Sequence, residues 1–271
     1  MTRFHPRVVV AAFLCLLTAG SAVIAQEPNL TEDQIRQFLL TAKVVNSRQT
    51  NKGVTEPWHL TLSNGTLTHD ASFQAIDEFR STFQAPDGTV ENNFRDSYHF
   101  NIAAYELAKL LGINDMMPVY VERSWGGHKG SLSWWLPVKM DEQDRRNRKL
   151  TPPDANAWGM QMNRMWVFSQ LVRDTDRNAT NMLIGENWKL FMIDFTRAFR
   201  LQHALDDSVR LTMCDRHLLE RLRQLDEATV LEKTKPHLNK SQVKALMARR
   251  DLIVAFFDKQ IAEKGEKAVL Y

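Results

Sequence analysis

The 271-residue chain carries 35 Lys+Arg against 32 Asp+Glu, with 44% apolar and 25% charged residues. Such a composition excludes disordered, fibrous and low-complexity classes. A formal net charge of +3 gives no electrostatic footprint for nucleic acid, and two cysteines cannot build a disulfide framework.

The first 25 residues have the pattern of a secretory signal. Arg3 and Arg7 precede an apolar run from Val8 to Leu17, no acid occurs, and Val23-Ile24-Ala25 fits a small-x-small cleavage site. Cleavage would leave 246 residues with a charge of +1 and Cys214 as the sole thiol. An exported protein is expected, periplasmic or secreted, large enough to be held together by its own core and without a membrane span. The alternative is an uncleaved anchor, since Val8 to Ala25 is 18 uncharged residues, near the lower limit for a span.

Phe38 to Val45 is a short apolar run rich in β formers and predicts a strand. Asn51 to Thr55 reads as a turn, and Trp58 to Leu62 as an alternating strand before the turn residues Ser63-Asn64-Gly65. A helix is predicted from Asp96, as N-cap, to Leu111, with Gly112 as its stop. Strands over Pro118 to Arg123 and Ser131 to Leu136 follow, separated by the glycine-rich turn Gly126 to Gly130. Lys139 to Asp154 is charged and contains Pro152 and Pro153, the pattern of a solvated linker. Helices are predicted for Ala155 to Val172, again after Asp215, and for Gln242 to Lys264, where Val243, Leu246, Met247, Ile253, Phe256, Phe257 and Ile261 form a core stripe capped by Gly265. The result is an α+β chain of two lobes, a β-rich one with one helix over 26–140 and a mainly helical one over 155–271, joined by 141–154.

The segment with chemistry in it starts at Asp174-Thr175-Asp176-Arg177-Asn178-Ala179-Thr180-Asn181. Two apolar runs, Met182-Leu183-Ile184 and Leu190-Phe191-Met192-Ile193, flank a glycine-containing turn and end at Asp194. They read as a β-hairpin, whose pairing brings Asn181 beside Asp194, with Asp176 on the entering loop. Three oxygen-donor side chains then converge on one open end. Such oxygens suit Mg²⁺ or Mn²⁺ rather than zinc. Two simpler readings compete. A polar turn uses Asp and Asn for local reasons. A calcium loop matches Asp174, Asp176 and Asn178 but fails at Ala179 and Gly185.

Asp176-x-x-x-x-Asn181, followed by a strand pair ending in Ile193-Asp194-Phe195, resembles the catalytic loop and metal-binding Asp of the protein-kinase-like superfamily. Its atypical branches are the most similar: HipA-type, secretory-pathway and phosphoinositide kinases. Ile102-Ala103-Ala104-Tyr105-Glu106-Leu107, then Leu110-Leu111-Gly112 and Pro118, looks like their helix-to-strand passage. The resemblance implies a two-lobed kinase-like fold binding ATP or another nucleotide with Mg²⁺ or Mn²⁺. Asp176 would be the catalytic base and Asn181 and Asp194 the metal ligands, with Asn51 to Thr55, including Lys52, Gly53 and Thr55, over the phosphates. The acceptor, whether protein, lipid or small molecule, is not specified.

The chain departs from the family where its phosphate-binding Lys and partner Glu would stand. Gln74 and Asn101 occupy those positions, and Thr196 replaces the Gly after Asp194-Phe195. Replacing both halves of an ion pair together is chemically coherent, because losing one would strand a buried charge. Lys43 offers a cation from the preceding strand, or is an exposed edge lysine. A phosphotransferase and a pseudokinase that binds or scaffolds without catalysis both fit, and an exported enzyme would need a supplied nucleotide or another donor. The sequon Asn178-Ala179-Thr180 lies inside the loop, where a glycan would block the site, so a working site suits a bacterial periplasm. The histidines from His59 to His237 show no ligand spacing, and Cys214 reads as an inert thiol.

Overall fold

The structure is a computed structural model and describes residues 30–50, 57–84, 88 and 90–271. The expected signal segment and the phosphate-loop residues Lys52, Gly53 and Thr55 lie outside the described residues. Thr31–Tyr271 forms one compact unit.

The chain enters as a helix, α1 (Glu32–Thr41), where a strand was predicted. A capping box decides it: Thr31 accepts from the Gln34 N–H, while the Gln34 side chain accepts from the Thr31 N–H. Phe38 and Leu39 then fall on its buried side, and the β-forming residues begin β1 (Lys43–Gln49) only after the helix ends.

Strands β2 (Trp58–Ser63) and β3 (Thr68–Gln74) follow antiparallel, joined by a turn in which the Asn64 side chain accepts from the Thr66 and Leu67 amides. An additional hairpin, β4 (Asp77–Gln84) with β5 (Val90–Ser97), stands apart from the main sheet. Helix α2 (His99–Leu111) stops at Gly112, whose φ of 69° is the left-handed conformation that the predicted stop requires. Its N-cap is Tyr98, not Asp96. Asp96 lies in β5, 2% exposed, and its carboxylate is drawn to Arg197 rather than to the helix amides.

Strands β6 (Tyr120–Trp125) and β7 (His128–Trp134) complete a five-stranded antiparallel sheet of order β1-β2-β3-β7-β6. Alternation gives it two faces. Leu60, Leu62, Ala71, Phe73, Leu132 and Trp134 form one, all buried, with Phe38 of α1 edge-on to Trp134 at 5.8 Å. The other carries polar side chains, Ser72, Gln74, Ser131 and Ser133 among them.

The charged stretch predicted as solvated loop instead contains β8 (Val138–Asp141) and α3 (Glu142–Asn147). Glu142 is 1% exposed because Arg145 and Arg146, three and four residues on, close around its carboxylate. Helix α4 (Ala155–Val172) begins on an Asp154 cap and has the predicted bounds. β8 pairs with β9 (Met182–Gly185), which pairs with β10 (Leu190–Met192). The chain finishes with α5 (Arg216–Gln224), α6 (Glu227–Thr234), α7 (Lys240–Lys264) and the short α8 (Glu266–Val269). Of the predicted stripe on α7, Val243, Leu246, Ile253 and Phe257 are fully buried and Met247 is buried, while Phe256 and Ile261 at its edge are only part-buried.

Candidate functional site

The site is built on the β9–β10 hairpin. Met182 opposes Met192, and the Ile193 amide donates to the Asn181 carbonyl at 3.1 Å. Asn181 therefore pairs with Ile193, one residue short of the predicted partner. Asp194 leaves the ladder with φ 55°, a conformation that costs a non-glycine residue about 1–2 kcal/mol and redirects its side chain. The strain is met by Thr196, whose hydroxyl donates to Asp194 Oδ1 at 2.9 Å.

Arg177 fastens the entering loop to the hairpin. Its guanidinium donates to the carbonyls of Asn181 and Ile193 at 2.8 and 2.7 Å, lies 4.3 Å over the Phe195 ring, and pairs with Asp174 at 2.6 Å. Both side chains of that pair are buried. Asp174 is thereby committed to Arg177, which removes the first ligand of the calcium-loop reading. Sequence reasoning passed over Arg177, although the Asp174-x-x-Arg177 spacing was visible.

Asp176 and Asn181 are tied directly: Asn181 Nδ2 donates to the Asp176 carbonyl at 2.9 Å. With its nitrogen so used, the Asn181 side-chain oxygen is the atom left to meet a cation. The Asp176 carboxylate remains 40% exposed, accepts from Asn178 Nδ2 at 3.1 Å, and faces Arg197 Nη1 at 3.8 Å. Asn178 also caps the following turn, accepting from the Thr180 amide. Burial raises the Asp194 carboxyl above the ordinary carboxylate range; the hydrogen bonds from Thr196 oppose the rise and the neighbouring Asp96 charge adds to it. Arg197 answers this acidic concentration, pairing with Asp96 at 2.8 Å. Burial alone would weaken its hold on the proton, but the Asp96 contact outweighs that and raises its pKa. Asp96 and Arg197 are 101 residues apart, so no sequence signal joined them.

Gln74 and Asn101 meet. Asn101 Nδ2 donates to Gln74 Oε1 at 2.7 Å and to Ser131 Oγ at 3.1 Å, while Asn101 Oδ1 accepts from the Phe195 amide at 2.7 Å. Asn101 has no exposed surface. A single neutral amide thus links strands β3 and β7, helix α2 and the residue following Asp194. Tyr120 of β6 adds a buried hydroxyl near Asp194; burial lifts its pKa well above the usual tyrosine value, and the Asp194 charge raises it further.

Lys43 lies far from this cluster. It pairs with Ser63, at the opposite end of β2 from Trp58, which adjoins Phe73 and Gln74 of β3. Cys214 is buried and its thiol is pushed up to about 12, in keeping with an inert role.

No family model and no curated protein matches the sequence. Solved structures do match. A hydra Fam20 structure with sugar aligns at TM-score 0.64 and 15% identity, over 88% of this chain and 91% of that one. The Golgi casein kinase with Mn/ADP bound aligns at 0.63 and 13%, over 88% and 78%. The Helicobacter pylori proinflammatory kinase CtkA aligns at 0.50 and 10%, over 85% and 97%. At these identities the likeness is one of architecture: the chain has the kinase-like fold of these structures.

Proposed function

We propose that the chain is an exported phosphotransferase that binds a nucleotide with Mg²⁺ or Mn²⁺ and transfers a phosphoryl group to a protein, lipid or small-molecule acceptor. The observation that carries this reading is the convergence of Asp176, Asn181 and Asp194 on one end of a hairpin that Arg177 holds. The donor set fits the metal: an amide oxygen and a carboxylate, with no thiolate or imidazole among the three, is chemistry for a hard divalent cation. The Golgi casein kinase structure with Mn/ADP supports the same pairing of metal and nucleotide.

Asn181 and Asp194 would hold the cation, which on binding supplies neutralisation of phosphate charge. Asp176, exposed enough to reach a substrate, would orient the acceptor hydroxyl and take its proton. Arg197, beside Asp176, is placed to meet negative charge arriving there. Lys52, Gly53 and Thr55, which follow β1 in the sequence and precede β2, would cover the phosphates. Export rests on the first 25 residues. No helix of the described residues is long and apolar enough to cross a membrane.

The Gln74–Asn101 amide pair favours a second reading, a pseudokinase that binds or scaffolds without turnover, because it leaves that position without a phosphate-facing cation. Nucleotide binding with and without Mn²⁺, measured on wild type, Asp176→Ala and Asp194→Ala, separates the two. The enzyme requires metal-dependent binding lost in Asp194→Ala and turnover lost in both variants. Binding without turnover across a broad acceptor screen selects the scaffold. Failure of every form to bind nucleotide refutes both readings as nucleotide binders.

A further inference from the structure

Away from the hairpin, the fold gathers His99, Glu122 and His237 from three separate elements. His99 opens α2, Glu122 lies on β6, and His237 follows α6. The Nδ1 atoms of the two histidines are 2.9 Å apart, and Glu122 Oε2 is 3.9 Å from His99 Nδ1 and 4.0 Å from His237 Nδ1. These three atoms lie within 4.8 Å of one another, the one such cluster of metal-binding side chains found among the described residues. From them we infer a second metal site, for Zn²⁺ or a similar nitrogen-seeking divalent ion, that joins helix α2 and strand β6 to the loop after α6.

Two imidazoles and one carboxylate form a zinc-type donor set, distinct from the all-oxygen set at Asp194. A tetrahedral ion with bonds of about 2.0–2.1 Å holds its ligands roughly 3.3–3.4 Å apart. The two nitrogens would separate by roughly 0.5 Å and the carboxylate approach by about as much, shifts within the reach of side-chain torsions. The outer groups agree as well. Asp77 Oδ2 lies 3.9 Å from Nε2, the other ring nitrogen of His99, and Asp77 Oδ1 is fixed by Ser97 Oγ at 2.7 Å. A carboxylate behind a ligating histidine selects the tautomer that frees the inner nitrogen. The second oxygen of Glu122 faces Lys129 at 4.0 Å, and the Tyr98 hydroxyl donates to Oε2 at 3.4 Å. His99 stands two residues before Asn101. An ion here would therefore hold the helix that meets the Phe195 amide.

Untagged chain, stripped with a chelator and titrated calorimetrically with Zn²⁺, tests the site. Wild type and Asp194→Asn are expected to bind one equivalent alike, His237→Gln and Glu122→Gln at least about 100-fold more weakly, since outer-shell losses alone cost about 10–100-fold. Co²⁺ should give the visible bands of a nitrogen-containing tetrahedral site in wild type and lose them in His237→Gln. Far-ultraviolet circular dichroism in chelator checks that each variant is folded. If His237→Gln does not fold, the half-exposed Glu122→Gln decides. Equal zinc affinity in wild type and the folded ligand variants overturns the site, as does the absence of zinc binding to folded wild type.

Discussion

Replacing Asn101 by Ala removes the group on which four elements depend. Gln74 Oε1, Ser131 Oγ and the Phe195 amide each lose the hydrogen bond that Asn101 makes to them. A net buried hydrogen bond contributes about 1 kcal/mol, and a buried donor left unpaired costs about 1–3 kcal/mol. The Phe195 amide belongs to a residue with no exposed surface and stands to pay the larger figure. Adding roughly 1 kcal/mol each for Gln74 and Ser131 gives a loss of about 3–5 kcal/mol for Asn101→Ala. Gln74→Ala removes one of these bonds from a half-buried side chain and should cost about 1 kcal/mol. Because that bond is common to both variants, the double variant should fall short of the sum by about 1 kcal/mol. Urea unfolding gives all three values, and amide exchange at Phe195 gives the local one, expected to accelerate in Asn101→Ala only. A loss below about 1 kcal/mol for Asn101→Ala, or additivity in the double variant, would refute the bridging role.

Arg177→Met leaves the Asp174 carboxylate buried without its guanidinium and should cost about 3–5 kcal/mol in urea unfolding, much of it recovered by adding Asp174→Leu. A β-carbon at Gly130 of β7 would sit 2.7 Å from the Phe73 ring and against the Gln74 carbonyl, so Gly130→Ala should destabilise by about 1–3 kcal/mol in the same assay. Glu142 is tested by pH. Burial would raise its carboxyl, but hydrogen bonds from Arg145 and Arg146 outweigh that and hold it below 4.5, its unfolded value. The stabilisation from Glu142 is thus complete above 4.5 and is lost as pH falls through the lower folded value. Glu142→Gln should be less stable than wild type at neutral pH, with the gap closing in acid; a gap of constant size would contradict the pairing. Asp176→Asn, which keeps shape and removes the proton acceptor, should abolish turnover while changing metal-dependent nucleotide affinity less than tenfold, measured by calorimetry.

What was legible in the sequence follows the range of the interactions. The bounds of α4, the stop of α2 at Gly112 and the β9–β10 hairpin rest on caps, glycine and alternation within a few residues. Helix α1 was misread because Phe38 to Val45 offers β formers throughout, while the capping box that decides the matter lies upstream at Thr31 and Gln34. The solvated-loop reading of 139–154 failed at α3 because Arg145 and Arg146 close around Glu142, which leaves water. The positions of Gln74 and Asn101 came from family resemblance; that they touch, across 27 residues, needed the fold. His99 and His237 stand 138 residues apart, which is why their spacing suggested nothing.

The junction between Gln74 and Asn101 has a consequence for the conditions under which the molecule can work. An ion pair at that place would lose its carboxylate charge in acid and would feel dissolved salt wherever water reached it. A bond between two carboxamides has no proton to gain or lose over the same range and no net charge to screen. The link from strand to helix to Phe195 is therefore insensitive to ionic strength and acidity, while the Asp194 carboxyl, which burial raises, is not. Acid and salt act on the charged pairs of the scaffold, Glu142 with Arg145 and Arg146 among them, and pass over this one link, a separation that a charged pair could not provide.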